Sequence, residues 1–208
     1  MARILGGSDF DRVLGSVHSL AAGDGFEEPG ELFAHRAPAE VVRSYLAEVA
    51  VLVSSDQPFQ VLAHIDYPVR SWPAGAGEFD PADFEEEFRH VLRLAADSGR
   101  AFEVNTRVPL HATMVTWWHE EGGAAITFGS DAHEPDSIAR GFADAEHLAE
   151  ERGFRPSKHP HELWGRWTSG RVGPPTAGGR CRAARRRGTG PADPTRHRGH
   201  VGYPGRWS

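Results

Sequence analysis

Four times between Asp11 and Gly153 a short apolar run ends in polar residues and gives way to a stretch with apolar residues at helical spacing. Asp11–His18 is the first run, closing on a histidine. A loop rich in Gly, Glu and Pro runs on to Arg36, and Val41, Val42, Tyr45, Leu46, Val49, Leu52 and Val53 then predict an amphipathic helix from Pro38 to about Ser54. Gln60–Asp66 is the second run; its helix is opened by Asp80-Pro81, carried by Phe84, Phe88, Val91, Leu92 and Ala95, and stopped at Ser98-Gly99. Ala101–Thr106 precedes a helix over His111–Glu121 built on Met114, Val115, Trp117 and Trp118. Ala124–His133 precedes a last helix, opened by Glu134-Pro135 and stopped by Gly153, with Ile138, Phe142, Ala145, Leu148 and Ala149 facing inward. Strand then helix, repeated in this way, predicts an α/β fold with a parallel sheet.

The repeat ends before the chain does. Residues 1–169 hold 14 Lys+Arg against 28 Asp+Glu, a balance of −14, whereas residues 170–208 hold nine Arg and one Asp, a balance of +8. The second stretch also carries nine Gly, five Pro and the run Arg185-Arg186-Arg187. It has no hydrophobic period with which to build a core, so a domain over 1–168 and a disordered basic tail over 169–208 are expected. The tail lacks the interleaved aromatics of a base-stacking surface, so no nucleic-acid partner is expected. No apolar run approaches the roughly 18 residues of a membrane helix, and the N-terminus has no signal-peptide core. With Cys181 as the single cysteine, a cytoplasmic protein is expected.

In parallel βα architectures reactive groups gather where the strands end, because the following loops converge there. His18, His64, Asp131 and His133 sit at such ends, with Glu103 and Asn105 one step back. Asp131-Ala132-His133 places an acid and an imidazole two residues apart, on one side of an extended or turning chain. By itself that pair is more often an N-cap followed by a surface histidine, and a lone strand-end histidine is ordinarily a packing or loop residue. The recurrence across successive units favours a catalytic metal centre. Imidazole and carboxylate suit Zn, Mn or Fe, and the scarcity of cysteine argues against a structural zinc.

Gly15-Ser16-Val17-His18, Ala63-His64-Ile65-Asp66, Glu103-Val104-Asn105-Thr106 and Gly129-Ser130-Asp131-Ala132-His133, in this order and at these intervals, resemble the later motifs of the PHP (polymerase and histidinol phosphatase) domain, above all its histidinol-phosphatase branch. The resemblance runs from about Asp9 to Trp167. It implies part of a TIM-like (β/α)7 barrel with up to three divalent metal ions, hydrolysing a small-molecule phosphate monoester such as L-histidinol phosphate. It implies His18, His64, Asp131 and His133 as metal ligands, with Asp131 and His133 at the centre of catalysis. Arg70 and Arg107 resemble the arginines that hold the substrate phosphate, a role that a planar guanidinium fork suits; the alternative for each is a solvated loop charge.

The resemblance also has a gap. Members of the family begin with a His-x-His strand and reach a bridging Glu before the Gly-Ser-Val-His strand, whereas here that strand starts about ten residues from Met1. The chain is therefore expected to form about the last four βα units of the barrel, holding fewer metal ions than the complete site. His159-Pro160-His161 follows the last helix and contains proline, and it is discounted as a replacement. The His18 and Asp131 strands are expected to be bare edges, with Val13, Leu14 and Val17 on one and Ile126 and Phe128 on the other left uncovered, favouring dimers or aggregates. Two other functions fit less well: a non-catalytic PHP fragment acting as a binding or assembly module, and an amidohydrolase-type metal hydrolase. The latter calls for a strand lysine, and the single lysine, Lys158, lies outside the strands.

Overall fold

The computed structural model describes residues 10–167, and the tail expected to be disordered lies outside the described residues. The core is a six-stranded sheet in which β1 (Leu14–Gly15), β4 (Val61–Leu62), β5 (Ala101–Asn105) and β6 (Ala125–Gly129) run parallel in sequence order. β8 (Trp164–Arg166) then pairs antiparallel with β6, and β7 (Phe154–Arg155) pairs antiparallel with β8. β2 (Leu20–Ala22) and β3 (Gly25–Glu27) form a separate hairpin. The described strands make an open mixed sheet and do not close into a barrel.

The helices between the parallel strands lie where their apolar periods place them. α1 (Pro29–Leu32) is a single turn whose Glu28 and Glu31 form a reciprocal capping box. α2 spans Pro38–Ser54, with Pro38 at its first position and Val41, Val42, Tyr45, Leu46, Val49 and Val53 buried. Asp80 caps a 3-10 turn, Pro81–Phe84, by accepting from the Ala82 amide at 2.9 Å. α3 (Glu85–Asp97) follows directly; three glutamates in its first turn suit the positive end of the helix dipole, and Phe88, Val91, Leu92 and Ala95 are buried. α4 (Ala112–Glu120) buries Met114, Val115, Trp117 and Trp118. Trp118 is fully buried, its ring 5.6 Å from that of Phe102 on β5 and its indole N–H donating to the Ala125 carbonyl at 3.2 Å. A side chain at Gly123 would stand 2.1 Å from the same ring, so glycine is what lets the chain turn tightly beneath it.

Several expected elements are reshaped. The first strand shrinks from Asp11–His18 to Leu14–Gly15, because β4 offers only two partners, and Leu14 is half exposed. The expected loop to Arg36 contains β2, β3 and α1, the hairpin turning at Gly23 with φ +55°. The last helix begins not at Glu134-Pro135 but at Phe142, as α5 (Phe142–Glu151). Pro135–Ser137 is a lone 3-10 turn, and Ala139 and Gly141, at φ 58° and 77°, take the chain into the left-handed region, which no helix continues through. Ile138, expected to face inward, is 70% exposed.

The Asp131 strand is not a bare edge either. β8 covers β6 at Ala125 and Ile126, Ile126 is fully buried, and Trp164 stands edge-on to Phe128 with ring centroids 5.0 Å apart. Among the described residues β1 ends the sheet on one side and β7 on the other.

Candidate functional site

The C-terminal ends of β4, β5 and β6 carry a continuous run of polar contacts. β5 is buried along its whole length, yet it presents Glu103 and Asn105. A buried carboxylate requires partners. Glu103 Oε2 lies 3.2 Å from His64 Nδ1 and accepts from Asn105 Nδ2 at 3.3 Å. Glu103 is also why position 129 is glycine: a Cβ there would stand 2.0 Å from Glu103 Oε1.

His64 follows β4 with φ 59°, and Asp131 follows β6 with φ 47°. Non-glycine residues in this region cost of order 1 kcal/mol or more, and such strain gathers where function demands a particular side-chain direction. Tyr45, reaching in from α2, donates its hydroxyl hydrogen to the His64 carbonyl and lies 3.2 Å from the Val17 carbonyl, which holds both strand-end loops against the helix. Of the three groups that approach His64 Nδ1, Glu103 is the nearest and the one that can only accept. Glu103 thus holds the Nδ1 edge of the ring, as a carboxylate does when it orients a histidine.

His18 is exposed beyond β1, its ring 5.3 Å from that of His64 and 4.8 Å from that of Tyr67. Partial burial, then the nearby His64 and Arg70, hold its imidazole below 6.5. On the other side of the site, His133 Nε2 lies 3.5 Å from Asp131 Oδ1 and accepts from Arg107 Nη1 at 2.6 Å. Burial by itself would raise the Asp131 carboxyl. The hydrogen bond from Arg70, its charge, and those of His64 and Arg107 outweigh burial and hold it below its ordinary value. Asp66, behind the site, behaves differently: burial pushes its carboxyl up to about 6.

All six residues singled out from the sequence thus lie in one stretch of contacts, but not in the arrangement expected for the metal ligands. Arg70 donates from Nη1 to Asp131 Oδ2 at 2.6 Å, and its Nη2 lies 3.3 Å from His64 Nδ1. Its guanidinium separates the His18–His64 pair from the Asp131–His133 pair. Among the described residues no group of three or more His, Cys, Asp or Glu side chains is placed to hold a metal ion. The donor types, three imidazoles and one carboxylate, fit a divalent ion; their convergence on one point is prevented by a cation already in place between them.

Arg107 Nη1 lies 3.4 Å from Asp131 Oδ2 and is more exposed than Arg70, 44% against 17%. It opens on a polar pocket of about 230 Å³ lined by Arg107, Ser130, Asp131, His133, Ser137 and Arg140, among others; Arg70 does not line it. Sequence reasoning set Tyr45 on the apolar face of its helix and Glu103 one step behind the strand ends without giving either a task in the site, and it passed over Tyr67 and Arg140. Glu103 was the one with a readable signal, an acid inside an otherwise apolar strand.

No protein-family model matches the chain. It is similar to a probable histidinol-phosphatase of Clostridium acetobutylicum, 29% identical over 159 residues, covering 71% of this chain and 60% of that protein. A probable histidinol-phosphatase of Deinococcus radiodurans is 32% identical over 152 residues, covering 69% and 55%. The fold is shared with a crystal structure of histidinol phosphate phosphatase from Lactococcus lactis complexed with zinc, L-histidinol and phosphate: TM-score 0.60 at 24% identity, covering 74% of this chain and 60% of that one. The chain spans between half and two thirds of the length of these proteins.

Proposed function

We propose that this chain is a metal-dependent phosphomonoesterase of the histidinol-phosphatase type, built on part of a TIM-like PHP barrel and acting on L-histidinol phosphate or a close relative in the cytoplasm. The observation that supports this best is the strand-end carboxylate Asp131, ion-paired to two arginines and placed beside a polar pocket. A phosphate monoester brings two negative charges and acceptor oxygens in all directions, and Arg107 is exposed at the pocket to meet them.

His18, His64, Asp131 and His133 would hold the divalent metal, Zn, Mn or Fe. When bound, such an ion acts as a Lewis acid on the phosphoryl group and lowers the pKa of a bound water. The chain's own residues supply orientation. Glu103 fixes the His64 ring with Nε2 outward, and Arg70 fixes the Asp131 carboxylate. His133, exposed at the pocket, is oriented by the hydrogen bond that its Nε2 accepts from Arg107.

A second reading, a non-catalytic PHP-type binding module, is favoured by the separation of the donors into two pairs. One experiment separates the two. The chain, purified with added Mn or Zn, is assayed for metal content and for phosphate release from L-histidinol phosphate, beside Asp131→Asn. Bound metal and turnover, with both falling roughly 10–100-fold in the variant, are expected. Absence of phosphate release from the unmodified chain in either metal would leave the binding module standing.

A further inference from the structure

We propose that Arg140 is a specificity-determining residue of this site, sharing the substrate phosphate with Arg107. The proposal rests on the phosphatase reading above. Of the two arginines that the family resemblance assigns to the phosphate, Arg70 is committed to Asp131 and His64 and lies outside the pocket, so Arg107 lines it without that partner. Arg140 lines the same pocket, together with the hydroxyls of Ser130 and Ser137.

The backbone at Arg140 is held there at some cost. Ala139 and Gly141 flank it at φ 58° and 77°. An alanine in that region is strained by of order 1 kcal/mol, and the surroundings have to impose it. They do so through Thr106, the residue before Arg107: its hydroxyl donates to the Arg140 carbonyl at 2.6 Å, and Gly141 lies close enough that a Cβ would stand 3.2 Å from the Thr106 Cβ. The loop after β6 is thereby tied to the end of β5, and residues 107 and 140 are brought to one pocket although they are far apart in sequence.

Charge accounts for the rest. Asp131 is neutralised by Arg70 and Arg107, and Glu134 is the other acid lining the pocket. Among the described residues the Arg140 guanidinium meets no carboxylate within 4.0 Å, the salt-bridge distance that both Arg70 and Arg107 satisfy. A guanidinium without a carboxylate partner, at a pocket also lined by two serines and a second arginine, is suited to receive a tetrahedral oxyanion.

The test is calorimetric titration of the full chain with inorganic phosphate, unmodified and as Arg140→Gln, Arg140→Lys and Arg107→Gln. The Arg140 side chain is exposed, and its structural contact is made by its backbone carbonyl, so these variants keep the fold. Loss of a charge-assisted contact is expected to weaken phosphate binding roughly tenfold or more in Arg140→Gln, with partial recovery in Arg140→Lys. In turnover of L-histidinol phosphate the same variant raises KM more than it lowers kcat. Phosphate binding that is weakened in Arg107→Gln but unchanged in Arg140→Gln overturns this inference and leaves the phosphatase reading intact. No phosphate binding by the unmodified chain overturns both.

Discussion

At the N-terminal ends of β4, β5 and β6, Val61, Ala101 and Ala125 form a small apolar cluster, and above them Phe102, Trp118 and Ile126 are fully buried. At the C-terminal ends of the same strands stand two left-handed residues, a buried acid, and an aspartate ion-paired to two arginines. One end follows every local preference for a strand, and the other violates several. The contrast separates what holds the chain together from what it is used for: burial of apolar surface supports the first end, and part of that stability offsets strain at the second.

The largest expected effect lies on the packed end. Trp118→Ala removes a fully buried ring and its hydrogen bond, and it should lower unfolding free energy by about 3–5 kcal/mol in urea titrations while leaving phosphate binding per folded molecule unchanged. A loss below about 1 kcal/mol would mean that this helix face is not where stability resides.

Gly129→Ala sits on the boundary and sharpens the comparison. Its Cβ would displace Glu103, a buried side chain with little room to move, and through it His64. We expect a loss of about 1–3 kcal/mol together with weakened metal binding, so that both ends fail at once. Reduced stability with metal binding intact would show that Glu103 does not orient His64.

The smallest effect is in pH dependence and belongs to the packed end alone. Burial, and then the charge of Arg166, hold His119 below 6.5, against a weaker opposing push from Glu120. The unfolded chain therefore takes up a proton at this position at a pH where the folded chain does not. The stability contributed is complete above 6.5 and is lost as pH falls from there through the folded value. His119→Gln should flatten that part of the melting-temperature profile; an unchanged profile would remove His119 from the account.

How much of this was legible in the sequence depended on how local each feature is. α2 matches its expected bounds because Pro38 and the apolar period act within one segment. β5 and β6 were readable as apolar runs followed by turns. The hairpin over Leu20–Glu27 was passed over, since three-residue strands scarcely establish an alternation, though Gly23-Asp24-Gly25 was its turn signal. β8 was missed because Trp164-Gly165-Arg166 becomes a strand only by returning alongside β6. The six candidate residues do meet at one end of the sheet. That Arg70 would stand between His64 and Asp131 was not readable, because the contact spans 61 positions and leaves no periodic trace.

The order of the parallel strands, β1-β4-β5-β6, has a consequence for how the molecule is made. Each strand's partner is the parallel strand synthesised just before it, so a chain leaving the ribosome can add one βα unit at a time to a growing sheet without waiting for distant sequence. The site cannot be assembled stepwise in the same way. His64 and Arg70 emerge early, but Asp131, the acid that Arg70 holds, comes 61 residues after it. The scaffold can accumulate during synthesis, whereas the chemistry is completed only when the last parallel strand arrives.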